Sequence, residues 1–238
     1  MRKEHDFAKI VRVFAGAVFA AVTACGGVQP AATAPASGVF SDVPADIDPS
    51  ARYLIYLHGT IIESQGVRPT HPRFGVYEYE EILATLAERG FAVISEARPS
   101  GTEAAAYADK VVGQVRGLLA AGVPPEHVAV VGFSKGGMIA ILTSSKLADE
   151  RVIFVFIAAC GPWLESMPEV VPHGRTLALR EISDDLVGSC EGLFNRAQGG
   201  AEHSEIILHL GGGHGAFYRP HPEWVEPVIE WASWSPGL

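Results

Sequence analysis

Six apolar runs, each six to eight residues long, punctuate the chain near 52–57, 91–96, 127–133, 152–159, 176–182 and 205–210. They are short, rich in Val, Ile, Phe, Leu and Tyr, and bounded by Gly, Pro, Asp or Ser, so they predict buried strands rather than helices. Between them, apolar positions recur at helical spacing near 79–89, 103–121, 136–148, 186–197 and 223–233. Strand and helix in alternation, with short joints, predict an α/β class chain: a mainly parallel sheet with helices on both faces and right-handed crossovers. No internal repeat and no second domain is visible. Such sheets bind ligands beyond the C-terminal ends of their strands, so the residues that follow each run are where chemistry is to be sought.

The segment ahead of the first run has a different character. Arg2, Lys3, Lys9 and Arg12 form a basic head, and Val13 to Ala24 is an apolar, alanine-rich stretch too short for a permanent membrane span. Residues 1–24 therefore read as an export signal. Val22-Thr23-Ala24-Cys25 resembles a bacterial lipobox, in which the cysteine is lipidated and becomes the new N-terminus; plain cleavage after Ala24 and a retained amphipathic anchor are the alternatives. Gly26 offers no acidic retention signal, which implies the outer membrane, facing the periplasm, in a host with two membranes. Residues 25–50, rich in Ala, Pro, Gly and Ser, are expected to be a flexible tether from a membrane anchor to a folded body at 51–238.

Composition narrows the partners. The whole chain carries a net charge of −9, and without the charged residues of the first 24 positions the balance is −11. A body so acidic has no general basic field for nucleic acid. With Cys25 assigned to lipid, Cys160 and Cys190 remain as an even pair, each just past a strand. If those strands are neighbours, both thiols lie at one end of the sheet, and a disulfide between them would pin the loop carrying Asp184; two buried free thiols are the alternative.

The chemistry-bearing motif is Gly132-Phe133-Ser134-Lys135-Gly136, set where the run ending at Phe133 meets a small-residue helical stretch. A serine on a strand-to-helix elbow needs a strained backbone and small residues two positions to either side, because strand and helix pass very close there. A serine hydroxyl is a weak nucleophile at neutral pH and needs a histidine to take its proton and a carboxylate to orient that histidine. The last run leads into Gly211-Gly212-Gly213-His214-Gly215, whose glycines let an imidazole stand on an exposed loop tip, so His214 is the candidate base. His209 reads as a packed or edge strand residue, and His203 and His221 as surface or helix-start residues. The run at 176–182 leads into Ser183-Asp184-Asp185, which offers two carboxylates; an aspartate here could also simply cap the following helix.

Together YLIYLHG, GFSKGG, ISDD and GGGHG, spread over about residues 51 to 238, resemble the serine α/β-hydrolase family. The resemblance implies a nucleophile, acid and base in the order Ser134, Asp184, His214, the family's register favouring Asp184 over Asp185. It also implies an oxyanion hole from the amides of Lys135 and, by register after the His-Gly pair, Thr60, with Gly59 permitting the turn and His58 supporting the loop. Family caps enter after the strand that follows the nucleophile helix. Here only Gly161 to Arg175 is available, which implies an open or shallowly capped site. The longer insertion Ile61 to Tyr79, with Glu63, His71, Arg73, Phe74, Tyr77 and Tyr79, is a candidate pocket wall. Lys135's ammonium is free to face solvent, pair with a carboxylate or attract an acidic substrate, and Phe217 and Tyr218 either wall the pocket or anchor the base loop.

The implied activity is cleavage of a carboxylic ester in a small acyl-containing substrate through an acyl-enzyme, with no cofactor and no metal required. Peptidase, amidase or acyl-transfer chemistry would use the same groups, and a non-catalytic binding lipoprotein could retain the scaffold. A metal hydrolase using His209, His214 and His221 lacks a paired-His motif. Oligomeric state is not set by the sequence.

Overall fold

The computed structural model describes residues 37–197 and 202–234; the expected leader and Cys25 lie outside the described residues. In chain order the elements are β1 (Gly38–Phe40), β2 (Arg52–Leu57), α1 (Thr60–Gln65), β3 (Thr70–His71), β4 (Gly75–Val76), α2 (Tyr79–Glu88), β5 (Phe91–Ile94), α3 (Ala104–Ala120), β6 (Val128–Phe133), α4 (Lys135–Leu147), β7 (Ile153–Ile157), β8 (Arg175–Glu181), α5 (Glu191–Phe194), β9 (His203–Leu208) and α6 (Pro222–Ala232). Among the described residues seven strands form one open sheet in the order β1-β5-β2-β6-β7-β8-β9, and β3 with β4 makes a small separate hairpin. Every pairing in the large sheet is parallel.

Parallel strands need crossovers, and these cover both faces. Tyr53, Ile55 and Leu57 of β2 point toward α3 and α4, where Val111, Val115, Ile139 and Leu142 meet them. Leu54 and Tyr56 point the other way, toward Ile82 and Leu86 of α2 and Trp224 and Val228 of α6. The same alternation repeats in β6, where Val128 and Val130 face one layer and Ala129, Val131 and Phe133 the other. Each fully buried Val, Leu, Ile or Phe contributes about 1.5–3 kcal/mol, which explains why the central strands read as unbroken apolar runs.

Several boundaries differ from expectation. The strand expected over 152–159 stops at Ile157 because Ala158 adopts a left-handed φ of 45° and turns the chain. The last strand starts earlier and ends at Leu208, so His209, expected within it, lies past its end and is exposed. The tether does not run to Ser50: Val39 and Phe40 pair with Val93 and Ile94, making the segment an edge strand of the sheet. The helix expected over 186–197 shrinks to Glu191–Phe194. Ahead of it the chain is held as a loop by a disulfide between Cys160 and Cys190, with Cα atoms 5.3 Å apart, and by the Gly188 amide donating to the Cys160 carbonyl at 2.8 Å.

Strand order positions the site. From β2 the chain moves outward to β5 through α2 on one face, then returns across β2 to β6 and continues into α4 on the other face. The connections leaving adjacent β2 and β6 therefore diverge, and the crevice between their C-terminal ends is the topological switch point. Gly59 and Thr60 follow β2 there, and Ser134 follows β6.

Candidate active site

Ser134 sits at the sharp turn from β6 to α4 with φ 54° and ψ −119°, a conformation costing about 1–3 kcal/mol for a residue with a side chain. The tight crossing explains the flanking glycines. A Cβ on Gly132 would lie 2.1 Å from the Gly136 carbonyl oxygen, and one on Gly136 would lie 1.9 Å from that of Leu57. The strain presents the hydroxyl at the mouth of the crevice rather than toward the core.

His214 arrives from the loop after β9, in a short 3₁₀ turn from Gly213 to Phe217. Its Nε2 lies 2.9 Å from Ser134 Oγ, and its Nδ1 lies 2.7 Å from Asp184 Oδ2. A carboxylate only accepts hydrogen bonds, so the Nδ1 proton is donated to Asp184 and Nε2 is left as acceptor for the serine hydroxyl. Asp184's side chain is fully buried (0% exposed), and its other oxygen accepts the Leu186 amide at 2.9 Å. Of the two candidate carboxylates, Asp184 is the one brought to the imidazole. Asp185 faces outward to Arg73, 3.0 Å away, and that hydrogen bond lowers its pKa.

The two amides expected to receive an oxyanion, those of Thr60 and Lys135, are the first residues of α1 and α4. As first-turn amides they have no carbonyl one turn earlier to bond, and both helices direct their positive ends at the same crevice. A cleft of about 310 Å³ lies over Ser134, walled by Thr60, Phe74, Phe133, Leu186, His214 and Tyr218. From the insertion after β2, Phe74 and His71 line this cleft, whereas Tyr77 and Tyr79 are core residues. Phe217 is 1% exposed and anchors the loop carrying His214; Tyr218 does both, stacking on Tyr77 at 4.8 Å while facing the cleft. Arg73 and Asp185 join this insertion to the loop carrying Asp184.

Glu63 is not part of the wall. It is buried in α1, accepting from Lys135 Nζ at 2.6 Å and from Arg98 Nε at 3.0 Å. Lys135 thus pairs with a carboxylate, and the pair links the first turns of α1 and α4. Arg98, which no sequence pattern singles out, also bonds the His58 carbonyl through its guanidinium and donates its backbone amide to His58 Nε2 at 2.9 Å. Because Nε2 accepts, Nδ1 carries the proton and donates to the Gly59 carbonyl at 2.8 Å, which fixes the turn from β2 into α1. His203 opens β9 and stacks on Phe194, and His221 stands at the N-cap position of α6 without a side-chain hydrogen bond to the helix, both exposed.

Burial, reinforced by the charges of Arg98 and Lys135, lowers the His58 pKa from 6.5 to about 3. A histidine depressed in the folded state stabilises fully above its unfolded pKa and loses that contribution as pH falls from 6.5 toward 3. Between pH 7 and pH 5 the loss is about 2 kcal/mol. Urea unfolding at the two pH values should show this drop in the wild type and a smaller one, by about that amount, in His58→Gln; equal drops would contradict the assignment.

No protein-family model matches the chain, and no curated protein is similar to it in sequence. Solved structures share its architecture. Esterase PE8 superposes with a TM-score of 0.50 at 16% identity, over 81% of this chain and 97% of that one. An acetyl xylan esterase from Paenibacillus sp. R4 gives a TM-score of 0.51 at 14% identity, over 79% and 76% respectively. A bifunctional GH43-CE protein of Bacteroides eggerthii gives 0.52 at 14%, with 80% of this chain matching 35% of that one. With its open parallel sheet, helices on both faces and elbow serine, the chain has the α/β-hydrolase fold and is similar in structure to solved esterases built on it.

Proposed function

We propose that the protein is a serine hydrolase that cleaves carboxylic esters through an acyl-enzyme. The observation that carries this reading is the chain of contacts Ser134 Oγ to His214 Nε2 at 2.9 Å and His214 Nδ1 to Asp184 at 2.7 Å, at the base of an open cleft. Ser134 Oγ attacks the acyl carbon while its proton passes to His214 Nε2. The carbonyl electron pair moves onto oxygen, where the Lys135 and Thr60 amides receive it. Collapse of the tetrahedral intermediate breaks the bond to the alcohol oxygen, which leaves with the proton from His214. Water then attacks the acyl-serine, gives its proton to His214, and the released serine takes that proton back. Asp184 remains ionised throughout and stabilises the imidazolium.

The segment between β7 and β8 holds a single short 3₁₀ turn, Pro162–Ser166, and no lid, and the cleft is small, about 310 Å³. These features favour a small acyl group, as does the presence of an acetyl xylan esterase among proteins of similar fold. We further read the enzyme as exported and lipid-anchored through Cys25, on the strength of the leader and of the Cys160–Cys190 bridge, a bond that persists in oxidising compartments. A panel of p-nitrophenyl esters of increasing acyl length, run beside aminoacyl p-nitroanilides, tests the chemistry. The expected result is turnover of the shortest esters, falling with chain length, and no anilide cleavage; anilide cleavage at ester-like rates would move the assignment to an amidase.

A further inference from the structure

β8 ends in a carboxylate that the mechanism above does not use. Glu181 is 0% exposed, and among the described residues it forms no ion pair. Its Oε2 accepts the Ser183 amide at 2.7 Å and also the Ser183 hydroxyl, and its Oε1 accepts the Gly211 amide at 3.1 Å. The Ser183 oxygen accepts in turn from the Gly213 amide at 3.2 Å. Ser183 immediately precedes Asp184, and Gly213 immediately precedes His214. One buried side chain therefore ties the backbone ahead of the acid to the backbone ahead of the base.

A buried carboxylate without a counterion is costly unless its lone pairs are filled. Burial pushes the Glu181 pKa up, but the Ser183 hydroxyl and amide and the Gly211 amide outweigh it and leave the pKa lowered, so the group is held as an anion with donors facing both oxygens. An anion is the state this junction requires, because every contact it makes is with a donor. A neutral glutamine turns one acceptor into an N–H group facing a donor, so one of the two loops must move. The glycine run after β9 has little packing of its own to resist such a shift: Gly211 and Gly212 are exposed, and Gly211, Gly212 and Gly213 all have positive φ.

Resting on the serine-hydrolase reading, we propose that Glu181 is a positioning residue, which acts through Ser183 and the glycine loop to set His214 against Asp184 and Ser134. A misplacement of about 1 Å in such a contact costs on the order of 100-fold in rate. For Glu181→Gln, folded by circular dichroism and assayed well below its Tm, kcat on a short-chain ester should therefore fall by about 10–100-fold with KM within about twofold of wild type. The rate of fluorophosphonate labelling should fall in parallel, because that step also needs the base. Ser183→Ala, at an exposed position, keeps the test open should the glutamine variant not fold. It should lower kcat in the same way, and where both fold, the double variant should be no worse than the poorer single one. Unchanged kcat in either folded variant, or a fall in Tm without a fall in kcat, overturns the positioning role. A folded wild type that neither hydrolyses esters nor takes the label removes the hydrolase reading and this role with it, an outcome distinct from an active wild type matched by an equally active Glu181→Gln.

Discussion

Ser134→Ala will abolish ester hydrolysis, lowering kcat by about a million-fold while leaving the fold intact. The hydroxyl is the group that His214 Nε2 contacts, 2.9 Å away, at the base of the cleft. Alanine bears the same cost as serine at φ 54°, since that cost comes from the Cβ, so the elbow and the helix behind it should persist. A Tm within a few degrees of wild type is the accompanying expectation. The small residual rate would come from the cleft and the Thr60 and Lys135 amides, which the substitution does not touch. Substantial turnover in this variant, measured on protein free of wild-type carry-over, would mean that another group attacks the acyl carbon.

Asp184→Asn will cost about 10⁴-fold in kcat, whereas Asp185→Asn will cost little. The reason is directional. Asp184 Oδ1 already accepts the Leu186 amide at 2.9 Å, so an asparagine will keep its oxygen there and turn its NH₂ toward His214 Nδ1. Nδ1 must then accept, which moves the imidazole proton to Nε2, where it points at the serine oxygen and cannot take its proton. Asp185 pairs instead with Arg73, with side-chain exposures of 57% and 55%. Steady-state kinetics on the two asparagine variants decides between the neighbours, and a reversed order would place the orienting carboxylate on Asp185.

The sheet was legible because its strands are buried on both faces and so read as apolar runs, and Ser134 and His214 because glycines mark the places where backbone and side chain must do something unusual. What escaped detection has physical causes. Val39 and Phe40 join the sheet through three residues of backbone pairing at its edge, too short for any periodicity, inside a segment whose composition suits a tether. The helix expected from Leu186 is overridden by contacts distant in sequence: the bond to Cys160, and Glu205, which accepts from Ser189 and from the Cys190 amide. Glu63 read as a wall residue because its partners, Lys135 and Arg98, lie 72 and 35 positions away. Glu181 lay inside a run read only as a strand, and only the return of the chain through β9 brings the glycine loop within its reach. The motif around Ser134 is local and therefore visible in the sequence, whereas Glu63, Arg98 and Glu181 are brought to their partners by topology.

Covalent labelling tests most directly whether Ser134 is the group that becomes acylated. After incubation with a fluorophosphonate, the intact mass of the wild type should rise by one adduct per chain, peptide mapping should assign it to Ser134, and Ser134→Ala should take none. A folded wild type that stays unmodified, or an adduct mapped to another residue, would contradict the account.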